Sequence, residues 1–440
     1  MNAEVRSLLQ LRRIIVALAV ASLAVVVAAC GGDAKTNGDT KSNKPTTLTL
    51  LSFTGSPSDQ PPIRKFYALY EKEHPGVKVK ITFVPLANYA AVLRTRLLGG
   101  NATDVFRVTT AHDAGYGIWD LAPTGKLLPL NGQTWTNSVP PILRDAAGYQ
   151  GKSYAWFNDF SGYWTFYNTE LYNKAGVKPP TTFSEVLDAC KTIRAKTGKI
   201  PFALGGGLVN AMYMINFAMA STTVLGRNPN WNTERSDGKT SFAATPGWTT
   251  QFKQYLAMRD AGCFQPNPVS TSFPEALSLM TSGKAASMVI VSVVRGALST
   301  NPAIKLGAYV LPGSNNPSET RLGVQANDGV AISASTKHKA QALELLAWLS
   351  KAETSRQYGK ITGSITADDA RNARLPAGME PLKPYFSSPD KMVLLPIVTW
   401  PAETAGGILG PDMQALYLGK KSIPQALSDL DKSYDKGFHG

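Results

Sequence analysis

The sequence predicts an α/β protein of two domains, and three observations carry that expectation. Between Leu48 and Val108, strand-like and helix-like patterns alternate in the order β-α-β-α-β. That order builds a parallel sheet with helices on its faces. The middle of the chain repeats the alternation. Finally, removing the first 45 of the 440 residues leaves 395, too many for one small core and suited to two domains of ordinary size.

The elements follow in order. Leu48-Thr49-Leu50-Leu51-Ser52-Phe53 reads as the first strand, and Thr54-Gly55-Ser56-Pro57-Ser58 as a loop. Ile63, Phe66, Tyr67 and Tyr70 fall at helical spacing, and His74-Pro75-Gly76 stops that helix. Val77, Val79, Ile81 and Phe83 alternate with polar neighbours, as in a half-buried strand. A helix from about Tyr89 to Leu98 ends at Gly99-Gly100, and Asp104 to Val108 is the next strand. Thr182 with Glu185, and Ser272 with Glu275, form capping boxes that open helices. Thr245-Pro246 opens another. Met288 to Val291, Leu306 to Leu311 and Gly329 to Ser333 are further strands. Helices dominate after Lys337, and the last, from Ser422, places Ile423, Leu427, Leu430 and Tyr434 on one face.

Ahead of this body stands a leader. Arg12 and Arg13 precede an apolar run, Ile14 to Val27, which closes with Val27-Ala28-Ala29-Cys30-Gly31-Gly32. A charged start, an apolar core and small residues before a cut describe a secretory signal peptide. Its ending resembles a bacterial lipobox, which implies a signal peptide over 1–29 and lipid on Cys30. An uncleaved anchor is the alternative, although a span normally needs about 20 apolar residues; plain secretion is another. Residues 31 to 45 are polar and lack large apolar side chains, as a solvated tether does.

Composition narrows the function. The formal net charge is +14. The lysines are scattered, without a basic helix or an aromatic-interleaved stripe, so no nucleic-acid partner is expected. A basic surface near anionic lipid or envelope polymer fits the charge. With Cys30 assigned to lipid, Cys190 and Cys263 remain, both at expected helix positions. An even pair in an oxidising compartment suggests a disulfide; two buried free thiols are the alternative.

Several segments in order resemble the extracellular solute-binding proteins of ABC importers, the family 1 type that includes the maltose-binding proteins. They are Phe66 to Val79, Gly99-Gly100-Asn101-Ala102-Thr103-Asp104-Val105, Ala111-His112-Asp113, Gly125 to Leu130 and Phe166-Tyr167-Asn168-Thr169-Glu170-Leu171. Pro274-Glu275-Ala276 through Gly283-Lys284-Ala285-Ala286-Ser287-Met288, Asp328 to Lys337, and Leu418 to Leu427 continue the set. The resemblance spans nearly all of the chain after the tether.

The resemblance implies a two-lobed periplasmic-binding-protein-like fold, with a ligand cleft between lobes and crossing hinge segments. Lobe one would comprise 46–157 plus 311–358, and lobe two 158–310 plus 359–440, after a tether over 30–45. It implies a monomer without cofactor or metal, whose partners are a sugar or polyol, the permease subunits of an ABC importer, and the membrane through the lipid. Closure around ligand would shift the population toward the form the permease reads.

A sugar site needs flat aromatics for C–H faces, and carboxylates, amides or Arg for hydroxyls. On the family's site loops this chain offers Phe53, Thr54 and Ser56, then Asp113 at the family's ligand-carboxylate position. The first crossover offers Asp159, Ser161 and Trp164, and the loop Gly205 to Asn210 offers Asn210, with Tyr213 beyond it. Asn327 and Asp328 precede a strand, and Trp400 and Glu403 lie in the last loop. Many family members carry a Trp shortly after the strand at Met288, where this chain has Ser292-Val293-Val294-Arg295. Arg295 could bind hydroxyls bidentately, or pair with a ligand phosphate or carboxylate. A phosphorylated polyol such as a glycerophosphodiester is therefore an alternative ligand.

An enzyme is the reading from a different class. Four His occur, with no H-E-x-x-H, no G-x-S-x-G elbow, no P-loop, and no third glycine of a dinucleotide fingerprint. A glycosidase needs only two carboxylates, which Asp113 with Asp159 or Glu403 could supply. The expectation is a binder, not an enzyme.

Overall fold

The structure is a computed structural model that describes residues 45–439 except 55–59, 113, 114, 139, 140, 145, 158, 327, 328, 363, 373 and 402. The leader, Cys30 and the tether before Pro45 lie outside the described residues.

Among the described residues, nine strands make the two main sheets: β1 (Thr46–Thr54), β2 (Val77–Pro85), β3 (Val105–Val108), β4 (Ala155–Phe157), β5 (Tyr163–Asn168), β6 (Ile200–Phe202), β7 (Ala285–Val291), β8 (Leu306–Tyr309) and β9 (Gly329–Ile332). The first sheet has the order β2-β1-β3-β9-β4 and the second β8-β5-β7-β6. The β-α-β-α-β start is as the alternation predicts, since β1 pairs in parallel with both β2 and β3. The sheets are nonetheless mixed, because β9 runs antiparallel to β3 and β4, and β5 antiparallel to β7 and β8.

The first sheet is covered on both faces. Leu48 and Leu50 of β1 pack with Phe66 and Tyr70 of α1 (Gln60–Glu73) and with Trp348. Leu51 points the other way, toward Tyr89, Leu93 and Leu97 of α2 (Leu86–Leu98). β2 is the edge strand, and its exposed Lys78 and Lys80 guard that edge against pairing with another chain. In the second lobe both expected capping boxes form, Thr182 with Glu185 on α3 (Phe183–Thr197) and Ser272 with Glu275 on Phe273–Thr281.

The lobes are joined by segments that pair with one another. Asp159–Phe160 pairs with Ile365–Thr366, Ser161 bridges Gln325, and Leu322–Val324 runs parallel to Met392–Leu394. Residue 358, where the sequence places a lobe boundary, lies within the helix Ala352–Thr362, and the Tyr358 ring meets Phe66 of the first lobe at 5.0 Å. The passage between sheets follows at Ile365–Thr366. Val398 also touches the first lobe: it accepts the His112 N–H at 2.8 Å and packs on Ala111 and Ala146.

Cys190 and Cys263 are joined by a disulfide. Cys190 lies on α3, but Cys263 is not on a helix as its sequence position suggests. The preceding helix, Pro246–Asp260, gives way at Gly262, whose φ of 69° is left-handed and suits glycine. Arg194, one turn after Cys190, holds the same turn by donating to the carbonyls of Gly262 and Phe264 at 2.6–3.0 Å. Among the described residues no helix is long and apolar enough to cross a membrane, and no group of three His, Cys, Asp or Glu is placed to hold a metal.

Candidate functional site

Two groups of candidate residues stand out, one on the first sheet and one at the crossing strands. The first surrounds the end of β1. The Phe53 ring meets Tyr89 at 5.3 Å and Tyr116 at 5.5 Å, and the Arg107 guanidinium lies 3.7 Å over it. One face of Phe53 is thus occupied by a cation rather than open to a sugar. Thr54 beside it is half-buried. Arg107 is a charged residue in the otherwise apolar run Val105-Phe106-Arg107-Val108, a signal in the sequence that points to a special environment.

The loop beyond β3 is held under strain. Ala111 is wholly buried at φ 49°, a backbone region that costs a non-glycine residue about 1–3 kcal/mol. Three backbone hydrogen bonds hold it and its neighbour: Ala111 N–H to Ala146, Trp119 N–H to Ala111, and His112 N–H to Val398. The His112 Nδ1 also lies 2.9 Å from Asp120 Oδ1. The strained turn leads directly into Asp113, which lies outside the described residues, as do Ser56, Asn327 and Asp328.

The second group gathers where the first crossover enters β5. Asp159 is 2% exposed and sits opposite Thr366. Its charge, with burial the larger cause, helps raise the pKa of Tyr358 far above the usual tyrosine value. Ser161 is wholly buried and exchanges backbone hydrogen bonds of 2.7 Å with Gln325. Ser292, directly after β7, accepts the Gly162 N–H at 3.3 Å and donates to the Ser161 hydroxyl at 3.4 Å. Trp164 and Arg295 line a narrow cavity of about 10 Å³ beside them, with Phe160, Ser292, Ser364, Ile365 and Met379. Burial pulls the Arg295 pKa below its ordinary value.

The remaining candidates lie as follows. Tyr213 is 6% exposed, and its ring lies 5.5 Å from Phe217 and 6.3 Å from Tyr163, the first residue of β5. Trp400, expected at the site, is wholly buried: it packs on Phe217, Phe242 and Trp248 at 4.9–5.3 Å and donates its Nε1–H to Asn232. In this structure it is a core residue, because the apolar segment that carries it turns back into the lobe. Glu403 is exposed at the start of a helical turn. Asn210 lies in the first turn of the helix Val209–Ala220; its side chain is outside the described residues. The glycines before it serve close packing: a Cβ on Gly206 would stand 2.6 Å from the Pro268 carbonyl oxygen, and one on Gly207 3.0 Å from that of Thr271.

Sequence reasoning missed Phe160, Ser364, Ile365 and Met379. Phe160, Ser364 and Ile365 reach the cavity because two crossing segments, far apart in the chain, pair there, and Met379 comes from a separate turn. No local pattern announces that.

Comparison with known proteins agrees with this architecture. The bacterial extracellular solute-binding protein family matches residues 54–355. The chain is 27% identical over 409 residues to the diacetylchitobiose binding protein DasA of Streptomyces coelicolor, covering 88% of this chain and 89% of that one. It is 24% identical over 348 residues to the multiple sugar-binding protein of Streptococcus mutans, covering 78% and 79%. The solved structure of RafE from Streptococcus pneumoniae, in its apo form, superposes with a TM-score of 0.73 at 21% identity, covering 89% of this chain and 98% of that one. That likeness shows the shared two-lobed fold. With the family matched over most of its length, the chain belongs to the bacterial extracellular solute-binding proteins.

Proposed function

We propose that this protein is the lipid-anchored binding component of an ABC importer, which captures a carbohydrate between its lobes and delivers it to the permease. The similarity along most of the chain to a protein named for binding diacetylchitobiose carries the reading. The paired crossing segments support it, since a pair of lobes joined by short strands closes by hinge motion around a solute. Ligand that touches both lobes stabilises the closed form, and the permease reads closed against open. The protein acts as a binder rather than an enzyme and works outside the cytoplasm. Lipid on Cys30 and a tether to about Pro45 would raise its effective concentration at the permease.

The contacts proposed for the sugar are Asp113, Thr54, Ser161, Arg295, Asn327 and Asp328. A thermal-shift screen of the soluble fragment from about residue 46 over mono- and oligosaccharides tests the reading. A sugar that raises the melting temperature supports it; a screen in which none does overturns it. Asp113→Ala should weaken binding of that sugar while leaving the melting temperature of the free protein unchanged, and an unchanged affinity would remove Asp113 from the site.

A further inference from the structure

The cavity at the crossing strands has a rim and a floor of different character. Its rim is Ser292, Arg295 and Ser364, all half-buried, and its floor is the buried Phe160, Trp164, Ile365 and Met379. Its volume of about 10 Å³ is close to that of one water-sized probe, hence of one oxygen atom.

Two donor-only side chains line the cavity, Trp164 and Arg295. The Trp164 Nε1–H is wholly buried and has no hydrogen-bond partner among the described residues. Indole nitrogen donates only. Among the described residues the Arg295 side chain makes one long hydrogen bond, from Nη2 to the Ala377 carbonyl at 3.5 Å. No carboxylate of the described residues pairs with it. A guanidinium offers five N–H donors and no acceptor. The Ser292 hydroxyl is already committed to Gly162 and Ser161. A half-buried cation without a counter-ion is destabilising unless something else supplies the charge.

An acceptor-only group with one negative charge fits this lining. A sugar hydroxyl, whose hydrogen the Ser292 or Ser364 hydroxyl oxygen could accept, fits it less well only because it leaves the guanidinium without a counter-charge. A phosphate monoester carries a charge of about −1.5 to −2 near pH 7, more than the single cation lining the cavity balances; a phosphodiester carries one charge and is the competing probe, and tighter binding of a sugar phosphodiester than of any uronic acid overturns the carboxylate.

We propose that Arg295 sets the ligand class: the captured carbohydrate bears a carboxylate, as a uronic acid does, with one oxygen in this socket. The proposal rests on the carbohydrate reading above and narrows it.

The test measures binding of the full chain by calorimetry. The probes are a panel of uronic-acid-bearing di- and trisaccharides, each beside the neutral sugar made by reducing its carboxyl to CH₂OH. The acidic member of a pair should bind about tenfold tighter or more, as a charge-assisted pair allows. Arg295→Met should erase that preference. It should also leave the melting temperature of the free protein unchanged or higher, because a desolvated charge without a partner is removed; an Arg with a structural role would lower it. Equal or better binding of neutral members, or a preference that survives Arg295→Met, overturns the proposal while the carbohydrate reading stands. If no saccharide of either kind binds, both fall.

Discussion

Removing the Cys190–Cys263 disulfide should cost the protein several degrees of melting temperature without touching its ligand affinity. The bond closes a sequence separation of 73 residues. The loop-closure entropy withdrawn from the unfolded chain corresponds to about 4 kcal/mol at 25 °C. Unfolding entropy near 2 cal/mol/K per residue, over roughly 400 residues, makes that about 5 °C if the whole chain melts as one unit, and about twice that if the second lobe melts alone. Cys190→Ala with Cys263→Ala is the right double variant, since both positions are wholly buried and a serine hydroxyl would be stranded there. The native structure should survive, because Arg194 still clamps the carbonyls of Gly262 and Phe264. Differential scanning calorimetry reads the shift, and its size also tells whether the lobes melt together. Alkylation of the unreduced, denatured wild type, read by mass, should label neither cysteine. A shift below about 1 °C, or labelling of both thiols, would refute the reasoning.

Three further outcomes follow from particular contacts. A Cβ at Gly162 would overlap the Gly323 carbonyl oxygen and stand 2.6 Å from Trp164 Nε1; Gly162→Ala should therefore lower stability in urea by about 1–3 kcal/mol or more, and a variant as stable as the wild type would show slack in the crossing segments. Burial pushes the Asp104 carboxyl up, but hydrogen bonds from the Thr336 hydroxyl, the Thr49 amide and hydroxyl, and His338 outweigh it and hold the pKa below the usual value. With the folded pKa below the unfolded one, this stabilisation is present above about pH 4 and is lost as pH falls through the lowered folded value. Asp104→Asn should flatten that acid limb of a melting-temperature profile, and parallel limbs would contradict it. Trp400→Ala should cost about 3–5 kcal/mol in urea unfolding and leave sugar affinity of the folded protein nearly unchanged; the reverse pattern would return Trp400 to the ligand.

Local pattern carried most of the fold. The alternation at Val77 to Phe83, the helical spacing of Phe66, Tyr67 and Tyr70, and the two capping boxes each depend on interactions within a few residues, and each is present in the structure. What periodicity does not contain is pairing between distant segments. β9 enters the first sheet antiparallel, between β3 and β4, although more than 150 positions separate it from β4 in the chain. The end of the helix before Cys263 was hidden for a smaller reason: the break is made by one left-handed glycine, Gly262, and a lone glycine after a helical pattern can equally lie inside it.

The site was less legible because aromatic residues carry the same sequence signal in two opposite roles. Trp164 and Trp400 are both wholly buried tryptophans, yet only one has a satisfied ring nitrogen. Trp400 gives its N–H to Asn232 and is surrounded by rings, as a core residue should be. Trp164 keeps its N–H unpaired, beside an arginine that also lacks a counter-ion. Setting a buried, unpaired N–H beside a half-buried guanidinium without a carboxylate partner is the kind of local conflict that folding alone does not favour. Function supplies a reason to tolerate it, because an acceptor that arrives with the ligand relieves both at once. That argument depends on the partners of a polar atom rather than on its burial, and partners are what a sequence without its fold does not display.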